Sequence, residues 1–249
     1  MNGRWLVRVE DIDPPREIPG SAHGIIHDLS RLGMDSDRPV LFQSTRTTAY
    51  QKAVEQLLQS GQAYWCGCTR KDLPASGIYP GTCRNGVSPG KSPRAIRIRV
   101  TEHPVEFVDS IQGPQSENLQ ASTGDFVIRR ADGLHAYQLA VVVDDDFQKI
   151  SQVVRGADLL ASTARQLWLQ KCLGLRHPEY AHIPLVKQDG GQKLSKSTRS
   201  DPVNTKPPVA LLRHALCFLG HDAPHGNLQD TWNWAFQNWT LSQVPKVVC

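Results

Sequence analysis

The sequence predicts an α/β protein built around a doubly wound parallel sheet of the kind that binds nucleotides. Short apolar runs at residues 5–9, 150–155 and 183–186 are typical of buried strands, and segments whose apolar residues lie three and four apart fall between and after them. Strands that alternate with helices in this way favour a mostly parallel sheet covered by helices.

The first half of the chain supplies strands, two helices and a cysteine-bearing region. Its predicted elements are a strand at 5–9, helices over 21–32 and 47–60, a loop-rich region over 64–94, a strand at 95–100, and a strand at 106–112 that pairs with it. The two helices are predicted because their apolar residues share one face, and because Gly33 and Gly61 follow as stop signals.

The second half is predicted to complete the sheet and add helices. Its predicted elements are two strands within 126–143 around an Asp-Gly turn, a strand at 150–155, a helix over 162–173, a strand near 183–186, and helices over 208–219 and 228–239. The second strand of the pair is apolar enough to be central in a sheet. Ser162 or Thr163 would be the N-cap of the helix over 162–173, and Gly174 follows the last turn of that helix.

Composition sets the class of protein. The chain has 249 residues, of which 39% are apolar and 21% charged, as in a globular protein with one large domain or two modest ones. Its net charge of +4 is compatible with a nucleic-acid partner without demanding one. No apolar run approaches the roughly 20 residues of a membrane helix, and no signal-peptide pattern is seen, so we expect the cytoplasm.

Three of the six cysteines lie close together in the loop-rich region. Cys66, Cys68 and Cys83 fit a structural zinc site, since sulfur-rich tetrahedral sites select zinc. Tyr79 and His103 are the candidates for the fourth ligand, and ligand statistics favour the histidine. The alternative is a set of packed thiols with no redox role, because Cys-x-Cys is less diagnostic than paired Cys-x-x-Cys motifs.

Three polar residues stand at or near the ends of predicted strands, where doubly wound sheets bind their ligands. They are Glu10, Tyr137 in the predicted hairpin, and Arg155. An acid can meet an α-ammonium group and an arginine can hold a carboxylate with two hydrogen bonds, so the set suits an amino-acid ligand. Taken singly, each could instead form a structural ion pair or lie satisfied on the surface.

The loop at residues 190–197 follows the last predicted strand. Two glycines lead into Lys193, Ser195 and Lys196, which could place concentrated positive charge against a polyphosphate. The alternative is a solvated basic surface loop.

Four segments, in this order, resemble the glutamyl-tRNA synthetase family. They are Arg8-Val9-Glu10-Asp11-Ile12-Asp13-Pro14-Pro15-Arg16, Tyr137-Gln138-Leu139-Ala140-Val141-Val142-Val143-Asp144-Asp145, Val154-Arg155-Gly156-Ala157-Asp158-Leu159-Leu160 and Lys193-Leu194-Ser195-Lys196-Ser197. The resemblance covers essentially the whole chain. It is closest to the short branch of the family, which has the class I catalytic domain and lacks the C-terminal anticodon-binding domain.

The resemblance implies roles for residues at matching positions. Glu10, Tyr137 and Arg155 would bind glutamate. Lys193, Ser195 and Lys196 would bind ATP, with Lys196 as the catalytic residue of a Lys-Met-Ser-Lys-Ser-type signature. A structural zinc ion would be held by Cys66, Cys68, Tyr79 and Cys83, which selects Tyr79 over His103.

The resemblance also implies a two-step reaction. Glutamate and ATP, with Mg²⁺, would form glutamyl-adenylate, and the glutamyl group would pass to the queuosine base of tRNA(Asp). We expect a monomer without membrane contacts. Two rival hypotheses are a noncatalytic, zinc-stapled RNA-binding protein and a fragment of an enzyme that charges the 3′ end of a tRNA.

The predicted organisation follows the family. Residues 1–62 would be the first part of a Rossmann-type catalytic domain, 63–118 a zinc-binding insertion, 119–186 the second part of the catalytic domain, and 187–249 the Lys-Leu-Ser-Lys-Ser loop with a C-terminal helical segment. Family members begin with a strand–loop–helix unit that carries a His-Ile-Gly-His-type signature. We expect this unit, and an anticodon-binding domain, to be absent from the chain.

Overall fold

The computed structural model describes residues 3–186 and 203–246. Within these ranges the strands are β1 (Arg8–Val9), β2 (Leu41–Phe42), β3 (Ala63–Cys66), β4 (Ala95–Ile98), β5 (Val105–Asp109), β6 (Gly113–Glu117), β7 (Val127–Arg129), β8 (Gln152–Gly156) and β9 (Glu179–Ile183). The helices are α1 (Ser21–Arg31), α2 (Thr47–Gln59), α3 (Leu119–Ser122), α4 (Tyr137–Gln148), α5 (Leu160–Leu173), α6 (Pro208–Phe218) and α7 (Leu228–Asn238). Among the described helices, none has the length and apolar character needed to cross a membrane.

The strands form three sheets. β1 and β2 pair in parallel, and β3, β4 and β7 form an antiparallel sheet in that order. The third sheet has the order β6-β5-β9-β8. In it β9 lies between β5 and β8 and runs parallel to both, whereas β5 and β6 are antiparallel. The fold is therefore mixed α/β and contains the parallel pairing that the sequence predicts.

The main core joins three helices to the antiparallel sheet. α4 packs against α2 and α5, and the apolar residues of these helices meet those of β3, β4 and β7. Leu57, Ile98, Leu139 and Leu169 are fully buried within it. Burying a leucine or isoleucine side chain contributes about 1.5–3 kcal/mol, so this cluster is a principal source of stability.

The prediction of two strands within 126–143 is half wrong. β7 and the Asp-Gly turn are present, with Gly133 at φ +88°, but the second predicted strand is helix α4. A short apolar run does not distinguish a central strand from a buried helix, and the burial of Leu139 to Val142 overrides the low helix propensity of its valines.

The predicted pairing of residues 106–112 with the strand at 95–100 is also wrong. β5 pairs with β6 and with β9, whereas β4 lies between β3 and β7. β6 was not predicted, because its sequence Gly-Pro-Gln-Ser-Glu has no apolar alternation. Its Pro114 is tolerable because β6 is an edge strand.

Other element predictions are confirmed apart from their ends. α1, α2, α6 and α7 lie within the predicted ranges, and Gly174 ends α5 in the left-handed conformation at φ +70°. The N-cap prediction is wrong, since α5 begins at Leu160 and Ser162 and Thr163 lie inside it. β1 is shorter and less buried than predicted, β8 begins two residues later, and β9 ends at Ile183 rather than starting there.

Candidate active site and metal centre

A cavity of about 460 Å³ lies beside β1, α4 and β8, and we call it the charged cavity. Glu10 directly follows β1, Tyr137 is the first residue of α4, and Arg155 lies in β8. All three line the cavity, although Tyr137 begins a helix rather than standing in a hairpin. The volume falls in the range of small-molecule sites.

The guanidinium group of Arg155 is held by uncharged acceptors. Its Nε donates to His182 Nε2 at 3.0 Å, and Nη1 donates to Gln166 Oε1 at 2.7 Å. Nη2 donates to Thr163 Oγ1 at 2.8 Å and to the carbonyl oxygen of Leu159 at 3.4 Å. Because these four bonds fix the group without neutralising it, Arg155 keeps a positive charge for an anionic ligand.

Carboxylates and a second arginine form another part of the cavity wall. Arg8 Nη1 lies 2.8 Å from Asp145 Oδ1, and Arg8 Nη2 lies 3.8 Å from Glu10 Oε1. Burial raises the pKa of Glu10 and of Asp145, and Arg8 opposes both shifts. Two acids therefore share one arginine there, which leaves negative charge for a cationic group.

Tyr137 lines the same cavity and interacts electrostatically with both Glu10 and Arg155. Burial raises the pKa of its phenol, and the negative charge of Glu10 adds to the shift. The hydroxyl is therefore neutral and can both donate and accept a hydrogen bond. A cavity with an acid, a phenol and a free arginine charge matches a zwitterionic ligand.

The sequence did not single out Arg8, Asp145, Gln166 or His182. Helical spacing would have found Asp145, because Tyr137, Val141 and Asp145 follow each other at intervals of four and all line the cavity. Strand spacing would have found Arg8, two residues before Glu10. Gln166 and His182 lie behind Arg155, and no local pattern marks them.

Asp144, next to Asp145, is a structural residue on the buried side of α4. It accepts hydrogen bonds from the Tyr50 hydroxyl at 2.5 Å, from Gln43 Nε2 at 2.9 Å and from Arg46 Nε at 2.5 Å. Its carboxylate is fully buried and ties α2 and the turn before it to α4. Asp144 therefore supports the packing of α4, whereas its neighbour Asp145 lines the charged cavity.

Cys66, Cys68 and Cys83 form a second site, which we call the cysteine cluster. Their sulfur atoms lie within 4.8 Å of one another, and those of Cys68 and Cys83 are 3.6 Å apart. Zinc holds thiolates at about 2.3 Å, which at tetrahedral angles separates two sulfurs by about 3.8 Å. The cluster therefore has the donor type and spacing that a tetrahedral metal ion needs.

Tyr79 lies with its hydroxyl group against the cysteine cluster. Its hydroxyl oxygen lies 3.3 Å from Cys66 Sγ and 3.6 Å from Cys68 Sγ, near the roughly 3.5 Å expected between oxygen and sulfur ligands of one zinc ion. His103 is exposed and lines a different cleft, with Trp168 and His177. The geometry thus favours Tyr79 over His103.

Within the cluster the pKa of Cys83 is lowered, whereas those of Cys68 and Tyr79 are raised. Burial raises the pKa of Cys83, but hydrogen bonds from the Tyr79 hydroxyl and the Gly67 N–H outweigh burial and lower it to about 7. Burial and hydrogen bonding with the cysteines raise the pKa of Tyr79. A thiolate forms readily at Cys83, as metal binding requires.

Close backbone packing holds the cluster in place. A Cβ atom on Gly67 would lie 2.7 Å from Val87 Cγ1, so only glycine fits between Cys66 and Cys68. Gly124, at φ +66°, approaches Tyr79 so closely that a Cβ atom there would lie 2.1 Å from its carbonyl oxygen. The guanidinium carbon of Arg97 lies 3.8 Å from the centre of the Tyr79 ring and covers one of its faces.

The predicted ATP-binding residues Lys193, Ser195 and Lys196 lie outside the described residues. Their roles remain predictions from the sequence.

Comparison with known proteins identifies the class. Residues 1–76 and 82–207 match the sequence model of tRNA synthetases class I (E and Q), catalytic domain. The chain therefore belongs to this family. Its fold is the mixed α/β fold of class I synthetases, and it aligns with the glutamate–tRNA synthetase of Elizabethkingia anophelis at a TM-score of 0.79 and 25% identity.

Individual relatives are closer still. The chain is 48% identical to the glutamyl-Q tRNA(Asp) synthetase of Dechloromonas aromatica, over 99% of its own length and 86% of that relative. It is also 48% identical to the protein of the same name from Pseudomonas aeruginosa PAO1, over 99% of its length and 85% of the relative. The structural alignment with the Elizabethkingia anophelis synthetase covers 98% of this chain but only 60% of that one.

Proposed function

We propose that the protein activates glutamate with ATP and transfers the glutamyl group to the queuosine base of tRNA(Asp). The observation that carries this proposal is the convergence of Glu10, Tyr137 and Arg155 on one cavity, in a chain of this family. The names of the relatives that are 48% identical over nearly the whole chain support the tRNA substrate.

In this proposal the charged cavity binds glutamate. Glu10 meets the α-ammonium group, and Arg155 holds a carboxylate through its charge and the one Nη1 N–H that its four protein hydrogen bonds leave free. The neutral phenol of Tyr137 lines the same cavity and can donate or accept a hydrogen bond with a polar group of the substrate. The fixed guanidinium pre-organises the site, since its orientation does not wait for the substrate.

The chemistry needs no nucleophile from the protein. A glutamate carboxylate oxygen attacks the α-phosphorus of ATP, the bond to the β-phosphate breaks, and pyrophosphate leaves. A nucleophilic group of the queuosine base then attacks the acyl carbon, and AMP leaves. Positioning and charge stabilisation supply the catalysis, and the sequence assigns ATP binding to Lys193, Ser195 and Lys196, with Mg²⁺.

The cysteine cluster, with Tyr79, is proposed to hold a structural zinc ion. Four protein ligands leave no open position on a tetrahedral ion, so the metal would take no part in the reaction. It would instead stabilise the loop between β3 and β4. We also propose the division of the chain at residues 62, 118 and 186 that the sequence suggests. Since ATP and tRNA are cytoplasmic, we place the protein there, as a monomer.

Transfer of radiolabelled glutamate to tRNA(Asp) tests the proposal. We expect ATP-dependent labelling of tRNA(Asp) that carries queuosine and none of an unmodified transcript of the same sequence. Glutamate-dependent ATP–pyrophosphate exchange, measured with and without tRNA, follows the first step. Labelling of the 3′ end of a tRNA would instead support a charging enzyme, and RNA binding without exchange or transfer would support the noncatalytic hypothesis.

A further inference from the structure

A buried acid–histidine pair stands behind Arg155. Asp109 ends β5, His182 lies in β9, and Arg155 lies in β8, so the three residues occupy neighbouring strands. Arg155 and His182 are direct register partners, and the side chains of Asp109 and His182 are completely buried. Such a pair is costly unless every polar atom is satisfied, which makes its hydrogen bonds informative.

The bonds fix the tautomer of His182. Arg155 Nε can only donate, and it lies 3.0 Å from His182 Nε2, so Nε2 carries no proton. The proton is therefore on Nδ1, which donates to Asp109 Oδ2 at 2.5 Å. Burial lowers the pKa of His182, against the effect of Asp109, and the nearby Arg155 charge lowers it further, so the ring is uncharged.

The backbone fixes Asp109 in turn. Its Oδ1 accepts hydrogen bonds from the N–H groups of Gln112 at 2.8 Å, Ile111 at 3.0 Å and His182 at 3.1 Å. One carboxylate oxygen is thus committed to the backbone, and only Oδ2 faces the imidazole. The chain of contacts runs from a rigid turn, through one imidazole tautomer, to the guanidinium of Arg155.

We propose that Asp109 and His182 are positioning residues, which hold the Arg155 guanidinium in the orientation that binds the glutamate carboxylate. The inference rests on the proposed function, since it deepens the account of how that cavity takes its substrate. Neither residue lines the cavity, so neither touches the ligand. Their effect passes through the bond between His182 Nε2 and Arg155 Nε, and through Thr163, whose hydroxyl lies 3.3 Å from His182 Nε2 and accepts from Arg155 Nη2.

Asp109→Asn tests the tautomer. Three backbone N–H groups keep an oxygen at the Oδ1 position, so the new amide NH₂ faces the imidazole. His182 must then accept at Nδ1 and carry its proton on Nε2, where it meets the Arg155 N–H. We expect the dissociation constant for L-glutamate, measured by calorimetry, to rise about 10-fold or more, since a buried donor loses its acceptor.

A matched pair of variants at His182 separates positioning from stability. His182→Asn keeps a donor near the Nδ1 position and loses the acceptor for Arg155. His182→Gln places an amide oxygen near the Nε2 position and keeps that acceptor. We expect glutamate to bind His182→Gln within about 3-fold of the unsubstituted protein and His182→Asn about 10-fold more weakly, while the melting temperatures of the two variants fall alike. His177→Asn, at an exposed histidine, is the control.

The ¹⁵N shifts of the His182 ring complete the test in the unsubstituted protein, whether or not the variants fold. At neutral pH we expect a protonated Nδ1 and an unprotonated Nε2. A proton on Nε2, or equal binding by the two His182 variants, overturns the inference alone. Failure of the unsubstituted protein to bind glutamate at all overturns the proposed function and the inference together.

Discussion

The charged cavity and the cysteine cluster differ in how the chain builds them. The cavity joins Glu10, Tyr137 and Arg155 from three elements spread over most of the described chain, whereas the cluster comes from one loop between residues 66 and 83. Arg155 already has four protein partners, but the cluster sulfurs mainly contact one another and Tyr79. The fold makes the cavity, whereas the cluster is proposed to be completed by a metal ion.

This difference predicts separate consequences of damage. Substitutions in the cavity should reduce activity with modest loss of stability, because the core beneath it is unaffected. Substitutions in the cluster should reduce stability first, because metal binding energy is folding energy.

Arg155→Ala should have the largest effect. It removes the cation that is proposed to hold the substrate carboxylate, and truncating one partner of a desolvated charge pair costs several kcal/mol. We expect glutamate-dependent activity to fall on the order of 10³-fold, which corresponds to about 4 kcal/mol. Unfolding should become easier by only about 1–3 kcal/mol, from the acceptors left unpaired.

Glutamate transfer to tRNA and thermal unfolding, measured on the same preparation, check this prediction. Arg176→Ala, at an exposed arginine, is the matched control and should change neither. A variant that loses stability in proportion to its activity would mean that Arg155 is a structural residue.

Cys83→Ser should have the next largest effect, on stability. Hydroxyl oxygen is a poor zinc ligand beside thiolates, so we expect the metal content, measured by plasma emission, to fall from one ion per chain to almost none. The free energy of unfolding should drop by about 3 kcal/mol or more, and the melting temperature by about 10 °C. Cys217→Ser, at an exposed cysteine, should leave both unchanged.

The same contrast explains what the sequence could predict. The cysteines of the cluster were visible because their spacing is local. From the residues alone, Glu10 and Arg155 were candidates only because they end predicted strands. The strongest reason to place them in one site was the resemblance to a family. His182 was missed because its role depends on register between β8 and β9, and the sequence does not determine that pairing.

The fold shows the same limit. Amphipathic helices such as α2 were predicted almost to the residue, because one polar and one apolar face leave a clear period. α4 is buried on several sides, so its apolar residues do not repeat with the helical period. An apolar run without that period is also typical of a central strand, which is why the sequence predicted one. β5 was found, but its partners were not, since pairing between distant strands leaves no mark in local sequence.

Tyr79→Phe sharpens the account of the cluster. The substitution removes the proposed fourth ligand oxygen and the hydrogen bond that Cys83 N–H donates to it at 3.0 Å, and it keeps a ring beneath Arg97. We expect zinc affinity, measured by competition with a chromophoric chelator, to fall about 10- to 100-fold. His103→Ala should leave that affinity unchanged, and the reverse pattern would make His103 the ligand.

Glu10→Gln should have the smallest effect on stability, and with the opposite sign. Burial raises the pKa of Glu10, which means that the fold disfavours its charged form. The neutral amide removes this penalty, so the variant should be slightly more stable than the unsubstituted protein. Its side chain is 40% exposed, and solvent screening keeps the gain below about 1 kcal/mol. Glutamate binding should nevertheless weaken, because the ammonium group loses its anion.

The pH dependence of that gain identifies its cause. Above the ordinary pKa of 4.5, the folded chain binds more protons at Glu10 than the unfolded chain does, so stability falls as pH rises through the raised folded value. The stability difference between Glu10→Gln and the unsubstituted protein should therefore be largest at neutral pH and vanish below about pH 4.5. Denaturant unfolding across this range measures it. A variant that is less stable than the unsubstituted protein at neutral pH, with the deficit vanishing in acid, would mean that Glu10 stabilises the fold through Arg8 and is a structural partner rather than a ligand-binding acid.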